Sequence, residues 1–125
     1  MIEKLIIVTN NPLSFKNFKK SHETIYIEGH VREVYKKVRD MIHLGHRLLT
    51  HPLMSSIKPN MTPYRTIVIS YNKEARCDME SLTLIEGSIA TLEKFLSIKP
   101  IPEHNEAVKY DFQVIDYDLI NHALN

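Results

Sequence analysis

Two short stretches of this 125-residue chain gather side chains that can do chemistry where regular structure should stop. One is Thr9-Asn10-Asn11. The other runs from Leu48 to Tyr64, LLTHPLMSSIKPNMTPY, and holds Thr50, His51, Lys58 and Asn60. His51 can change charge near neutral pH. Lys58 brings a positive charge. The Asn10-Asn11 turn precedes a helix start, where free backbone N–H groups and the helix dipole favour an anion. Thr9, Asn10, Asn11, Thr50, His51, Lys58 and Asn60 therefore make a candidate site for a small anionic ligand. An enzymatic alternative uses His51 as acid–base on a phosphorylated or acyl metabolite, with Lys58 and the Asn10-Asn11 turn holding the anion. A structural reading stands beside both. Asparagines turn chains and cap helices, and a histidine next to Pro52 can simply bond the backbone of an irregular loop.

Other chemistries find less support. The chain has seven histidines, but His43 and His46 flank the helix-ending Gly45 and need not share a face. There is no H-x-x-x-H pair, no H-E-x-x-H and no cysteine pair, so no metal is expected. Cys77 precedes a helix start, where a thiol pKa can fall, yet no oriented base accompanies it. Ser55 and Ser56 lack a G-x-S-x-G context. TNNPLSF carries none of the glycines of a dinucleotide fingerprint or a P-loop, so no cofactor is expected.

The whole-chain properties fit one soluble domain over residues 1–125. The sequence is 43% hydrophobic and 25% charged, ordinary for a globular protein. A single cysteine excludes an internal disulfide and suits a reducing compartment. Leu5–Val8 is too short for a signal-peptide core or a membrane span, so a cytoplasmic location and no membrane contact are expected. The net charge of +1 conceals an asymmetry. Residues 1–77 hold 13 Lys/Arg against 6 Asp/Glu, and residues 78–125 hold 3 against 9. The basic runs at Lys16–Lys20 and Arg32–Arg39 fall on predicted helices and read as solvated faces, so no nucleic-acid partner is expected. The asymmetry suggests that the acidic part packs on the basic part, or on a second copy in a homodimer.

The elements that must position the candidate residues follow from periodicity. Lys4–Thr9 is a continuous apolar, β-branched run, read as a strand buried on both faces. Asn11 can cap a helix beginning at Pro12 and running to Lys20. Thr24–Ile27 is a second strand. Val31, Val34, Tyr35, Val38, Met41 and Ile42 form one helical stripe ending at Gly45. Arg47–Thr50 reads as a third strand and Thr66–Ser70 as a fourth. Asp78 caps a helix to about Leu96. Within it Gly87 reads equally as tolerated drift or as a point of close approach. Pro100 and Pro102 make a linker. Beyond it lie either two helices, Glu103–Phe112 and Tyr117–Leu124 with Asp116 as the second cap, or one continuous helix.

This order predicts a small three-layer α/β/α sandwich with a mainly parallel four-stranded sheet and C-terminal helices. Ligands of open parallel sheets bind beyond the carboxyl ends of strands. That rule brings Thr9-Asn10-Asn11, Glu28-Gly29, Thr50-His51 and Ser70 to one edge. The strand-three-to-four return would span the 15 residues His51–Arg65, long enough for a parallel crossover, although no helix is apparent there.

The segments KLIIVTNNPL, VYKKVRDMIHLGH, LLTHPL…IKPNMTPYRTIVIS and DFQVIDYDLI resemble the GrdX family across essentially the whole chain. Members are small proteins encoded with the glycine reductase genes of amino-acid-fermenting anaerobic bacteria. The resemblance implies a cytoplasmic, accessory place in glycine, sarcosine or betaine reduction, with glycine reductase components as possible partners. It carries no catalytic residues over. The reduction itself needs redox thiols or selenocysteine, which a lone Cys77 does not supply.

Overall fold

The computed structural model describes residues 4–125. Its elements are β1 (Leu5–Thr9), α1 (Pro12–Phe18), β2 (Glu23–Tyr26), α2 (Val31–His43), β3 (Thr66–Ser70), α3 (Met79–Ile98) and α4 (Glu106–Leu124). The first three residues of the expected domain lie outside the described residues.

The sheet has three strands in the order β2-β1-β3. β1 is central, apolar from Leu5 to Val8, and all five of its residues are buried. Because strand side chains alternate, β1 feeds two cores. Ile6 and Val8 join Ile67 and Ile69 of β3 under α2 and α3. Leu5 and Ile7 join Val68 under Phe18 of α1 and Ile120 of α4. The α2 stripe read from spacing, Val31 to Ile42, is buried at all six positions. Each such side chain contributes roughly 1.5–3 kcal/mol by leaving water.

The sheet corrects the four-stranded, mainly parallel expectation. β2 runs parallel to β1, but β3 runs antiparallel to it, with Leu5 opposite Ser70 and Thr9 opposite Thr66. A parallel return needs a crossover element that packs on the sheet. Residues 51–65 form no helix, so the chain simply turns back and enters β3 in the opposite sense.

The third expected strand does not form either. Leu48 makes one antiparallel bridge to Ile69, flanked by Ser70 N–H donating to Arg47 O and Leu49 N–H donating to Val68 O, both at 2.9 Å. There the ladder stops, because Val68 N–H donates to the Thr50 hydroxyl at 3.1 Å instead of to a carbonyl. The antiparallel sense also moves Ser70 to the far end of the sheet, away from Thr9.

Gly45 ends the α2 turn at φ +113°. A Cβ there would stand 2.3 Å from Glu74 O, so the position needs glycine for both conformation and space. α4 is one continuous helix, capped at Asn105 rather than at Asp116. The charge asymmetry resolves within the chain: basic α2 meets acidic α3 through Arg32–Glu93 at 2.6 Å and Arg39–Glu86 at 3.3 Å. Both pairs are partly exposed and worth up to about 1 kcal/mol each.

Candidate functional site

The Thr9-Asn10-Asn11 turn sits where β1 ends and β3 begins, and it organises that edge. Asn10 makes three bonds to the backbone of two segments. Its amide nitrogen donates to Gly29 O at 3.2 Å and to Pro63 O at 2.9 Å, and its Oδ1 accepts from Arg65 N–H at 2.9 Å. The Thr9 hydroxyl donates to Arg65 O at 3.1 Å. Asn11 caps α1 by accepting from Leu13 N–H, and its Nδ2 donates to Gln113 O and to Asp116 Oδ2, each at 2.9 Å. Every polar atom of both asparagine side chains thus has a partner within the protein.

What the turn holds in place is a buried arginine and a buried aspartate. Arg65 is 4% exposed and Asp116 is 6% exposed. Asp116 accepts from Thr66 Oγ1 at 2.6 Å, from Thr66 N–H at 3.1 Å and from Asn11. The Thr66 hydroxyl also lies 2.8 Å from that of Thr9 and 3.0 Å from that of Ser14. Burial pushes the Asp116 carboxyl above the usual carboxylate range, opposed by its bonds from Thr66 and Asn11 and by the Arg65 charge. The same guanidinium acts on Tyr35. Burial raises the phenol and Arg65 pulls it back, while the phenol donates to Pro52 O at 3.0 Å.

Arg65 Nε is buried and has no hydrogen-bond partner; among the described residues Asn60 Oδ1 shares that condition. A buried N–H left unpaired costs about 1–3 kcal/mol, more on a charged group. Arg65 borders a small cavity between the 51–65 loop and α4, with Asp116, Tyr64 and Thr62 on its polar side. Four hydrogen bonds tie the loop down. Asn60 donates to Phe95 O and Lys99 O at the end of α3. His104 Nε2 lies 2.8 Å from Met61 O, and Gln113 donates to the Tyr64 hydroxyl at 3.1 Å.

The expected site residues divide. Thr9, Asn10 and Asn11 converge on Arg65 and Asp116. Thr50 bonds the β3 backbone. Asn60 docks on α3. His51 is exposed, and its Nδ1 accepts from Leu53 N–H at 3.0 Å. It lines a different groove, with Thr83, Gly87 and Ser88 of α3. Lys58 is exposed, and its recorded bond is a backbone one, Lys58 O accepting from Met61 N–H. Sequence reasoning missed Arg65, Asp116 and Tyr35. Asp116 had a detectable signal: it lies four residues from both Phe112 and Ile120, an acid on an apolar stripe.

Among the described residues, no three His, Cys, Asp or Glu side chains gather as a metal site requires. No helix among them is long and apolar enough to cross a membrane. No match emerged among characterised proteins or among solved structures. The profile of the GrdX-like proteins, in contrast, matches residues 6–125, nearly the whole length, and the chain belongs to the GrdX-like protein family.

Proposed function

We propose that this chain is an accessory protein of the glycine, sarcosine and betaine reductase system, acting in the cytoplasm, and that it binds a small anionic metabolite rather than turning one over. Family membership supports the setting. The observation that carries the binding is the unpartnered Arg65 Nε beside a cavity. Guanidinium N–H groups suit carboxylate and phosphate oxygens, and an anion there would give the orphaned donor an acceptor.

In this reading Thr9, Asn10 and Asn11 position the site rather than touch the ligand, since their side-chain atoms are already engaged. Thr50, Lys58 and Asn60 shape or flank the loop that covers it. The engaged state of Asp116, with three donors on its two oxygens, favours a holding role over proton transfer. His51, facing α3, is not needed.

Thermal-shift and heat titrations against glycine, betaine, acetate, phosphate, acetyl phosphate and purified reductase components test the reading. At a ligand concentration of 100 Kd, binding stabilises a protein by about 2.7 kcal/mol. Saturable binding of at least one small anion, lost in Arg65→Gln, is the expected result. No response across the panel would remove its support.

A further inference from the structure

The two outer edges of the sheet are finished differently. Beyond β3 the chain closes its own edge: Leu48 bridges to Ile69, Ser70 N–H donates to Arg47 O, and the Thr50 hydroxyl takes Val68 N–H. Beyond β2 the edge stays open. A strand residue points its N–H and C=O to one side, and its neighbours point theirs to the other. Ile27 N–H donates to Thr9 O at 2.8 Å, so Glu23, Ile25 and Ile27 face β1 while Thr24, Tyr26 and Glu28 face outward. Among the described residues, no loop or turn bonds the backbone of Thr24 or Tyr26. Open edges template pairing with another chain and are commonly blunted by proline, lysine or a bulge. β2 reads Glu-Thr-Ile-Tyr, in unbroken register with β1, and carries none of these.

The strand also matches itself. Side chains alternate between faces: Ile25 and Ile27 join the core under α2 and α3, and Tyr26, 36% exposed, packs on Phe15 of α1 with ring centroids 5.0 Å apart. Antiparallel pairing of two β2 strands about a two-fold axis sets Ile25 against its own copy, Thr24 against the partner's Tyr26 and Glu23 against the partner's Ile27. The charges agree with that sense. Lys20 precedes the strand and Glu28 follows it, so Glu28 meets the end that carries the partner's Lys20. Glu23 enters the groove of about 350 Å³ beside the partner's Ile27, where the partner's Lys36 and Lys37 stand. Glu33 and Asp40 border the same groove, with Glu33 3.8 Å from Lys36. Lys20, Glu23, Glu28 and Lys37 are exposed and take part in no ion pair among the described residues. Opposite charges across a strand pair stabilise it. A foreign strand would meet the same open edge, but a second copy brings the matching charges with it.

We propose that β2 is the interface of a symmetric homodimer, in which two three-stranded sheets join edge to edge into one. Analytical ultracentrifugation of the full chain from micromolar to millimolar concentration should show a reversible monomer–dimer equilibrium. Over the same range, hydrogen exchange at the Thr24 and Tyr26 amides should slow. Thr24→Pro removes an outward donor and leaves the ladder to β1 intact; with one bond lost from each subunit, dimerisation should weaken roughly tenfold. Glu28→Lys, at an exposed position, should weaken it severalfold, and adding Lys20→Glu to Glu28→Lys should restore it. This charge swap keeps the proposal falsifiable if the proline unfolds the strand. A chain that stays monomeric to millimolar concentration would overturn the proposal. So would a dimer whose Thr24 and Tyr26 amides exchange at the monomer rate, or one that Glu28→Lys leaves unchanged. Failure of the double variant to restore pairing would overturn the antiparallel register.

Discussion

Asn11 Nδ2 donates to Asp116 Oδ2 at 2.9 Å, joining residues 105 positions apart in the chain. The same side chain caps α1, so one residue fixes a helix start, a helix middle and the edge of the sheet. Asn11→Ala should cost about 2–4 kcal/mol, from a lost cap and a lost bond to a buried carboxyl. Urea unfolding measures it. A loss under about 1 kcal/mol would show that the cap alone matters.

The buried carboxyl makes a signed pH prediction. Burial raises the folded pKa of Asp116, so between the unfolded value, about 3.9, and that raised value the folded state holds the proton more often than the unfolded state. Stability from this group is therefore greatest at low pH and declines as pH rises through the window. Asp116→Asn should be less stable than wild type, because an amide group cannot accept all three donors. Its deficit should shrink as pH rises from 4 towards neutrality. Unfolding curves at several pH values decide it; a deficit that grows with pH would mean the bonds and Arg65 outweigh burial.

Two glycines should respond oppositely to the same substitution. Gly45→Ala should destabilise by roughly 2–4 kcal/mol, since it combines a positive φ with a clash against the Glu74 backbone. Gly87→Ala should stabilise by about 1 kcal/mol, because nothing lies within 4 Å of the added carbon. A loss of stability that depends on protein concentration in Gly87→Ala would instead place α3 in a dimer contact.

His51→Ala separates binding from turnover. The side chain is exposed and its recorded bond is within its own loop, so the cost should stay below about 1.5 kcal/mol and anion affinity should not change. Loss of affinity, or loss of any measured turnover, would restore His51 to the site.

What could be read from the sequence was whatever a single element decides. β1, β3 and α2 were legible because a continuous apolar run or a six-residue stripe is a local pattern. So were the Asn11 and Asp78 caps. Strand direction was not, because it depends on whether residues 51–65 cross the sheet or turn back, and only the absence of a helix there hinted at the answer. Asp116 looked like a cap because an acid before Tyr117 has that form; its position on the buried side of α4 emerges only once Asn11 and Thr66 are seen to meet it. Arg65 entered the sequence reading only as the last residue of the 51–65 return. Its burial follows from Asn10 and Thr9 holding its backbone, a contact across more than fifty residues.

The most direct test observes the orphaned donor itself. In a proton–nitrogen correlation spectrum, the Arg65 Nε–H should appear as a slowly exchanging signal, assigned by its absence in Arg65→Lys. Adding acetate should shift that signal saturably towards the downfield position of a carboxylate-bonded N–H, with the other arginine Nε–H signals unmoved. An Arg65 signal that stays fixed while acetate rises to high millimolar concentration would contradict the account.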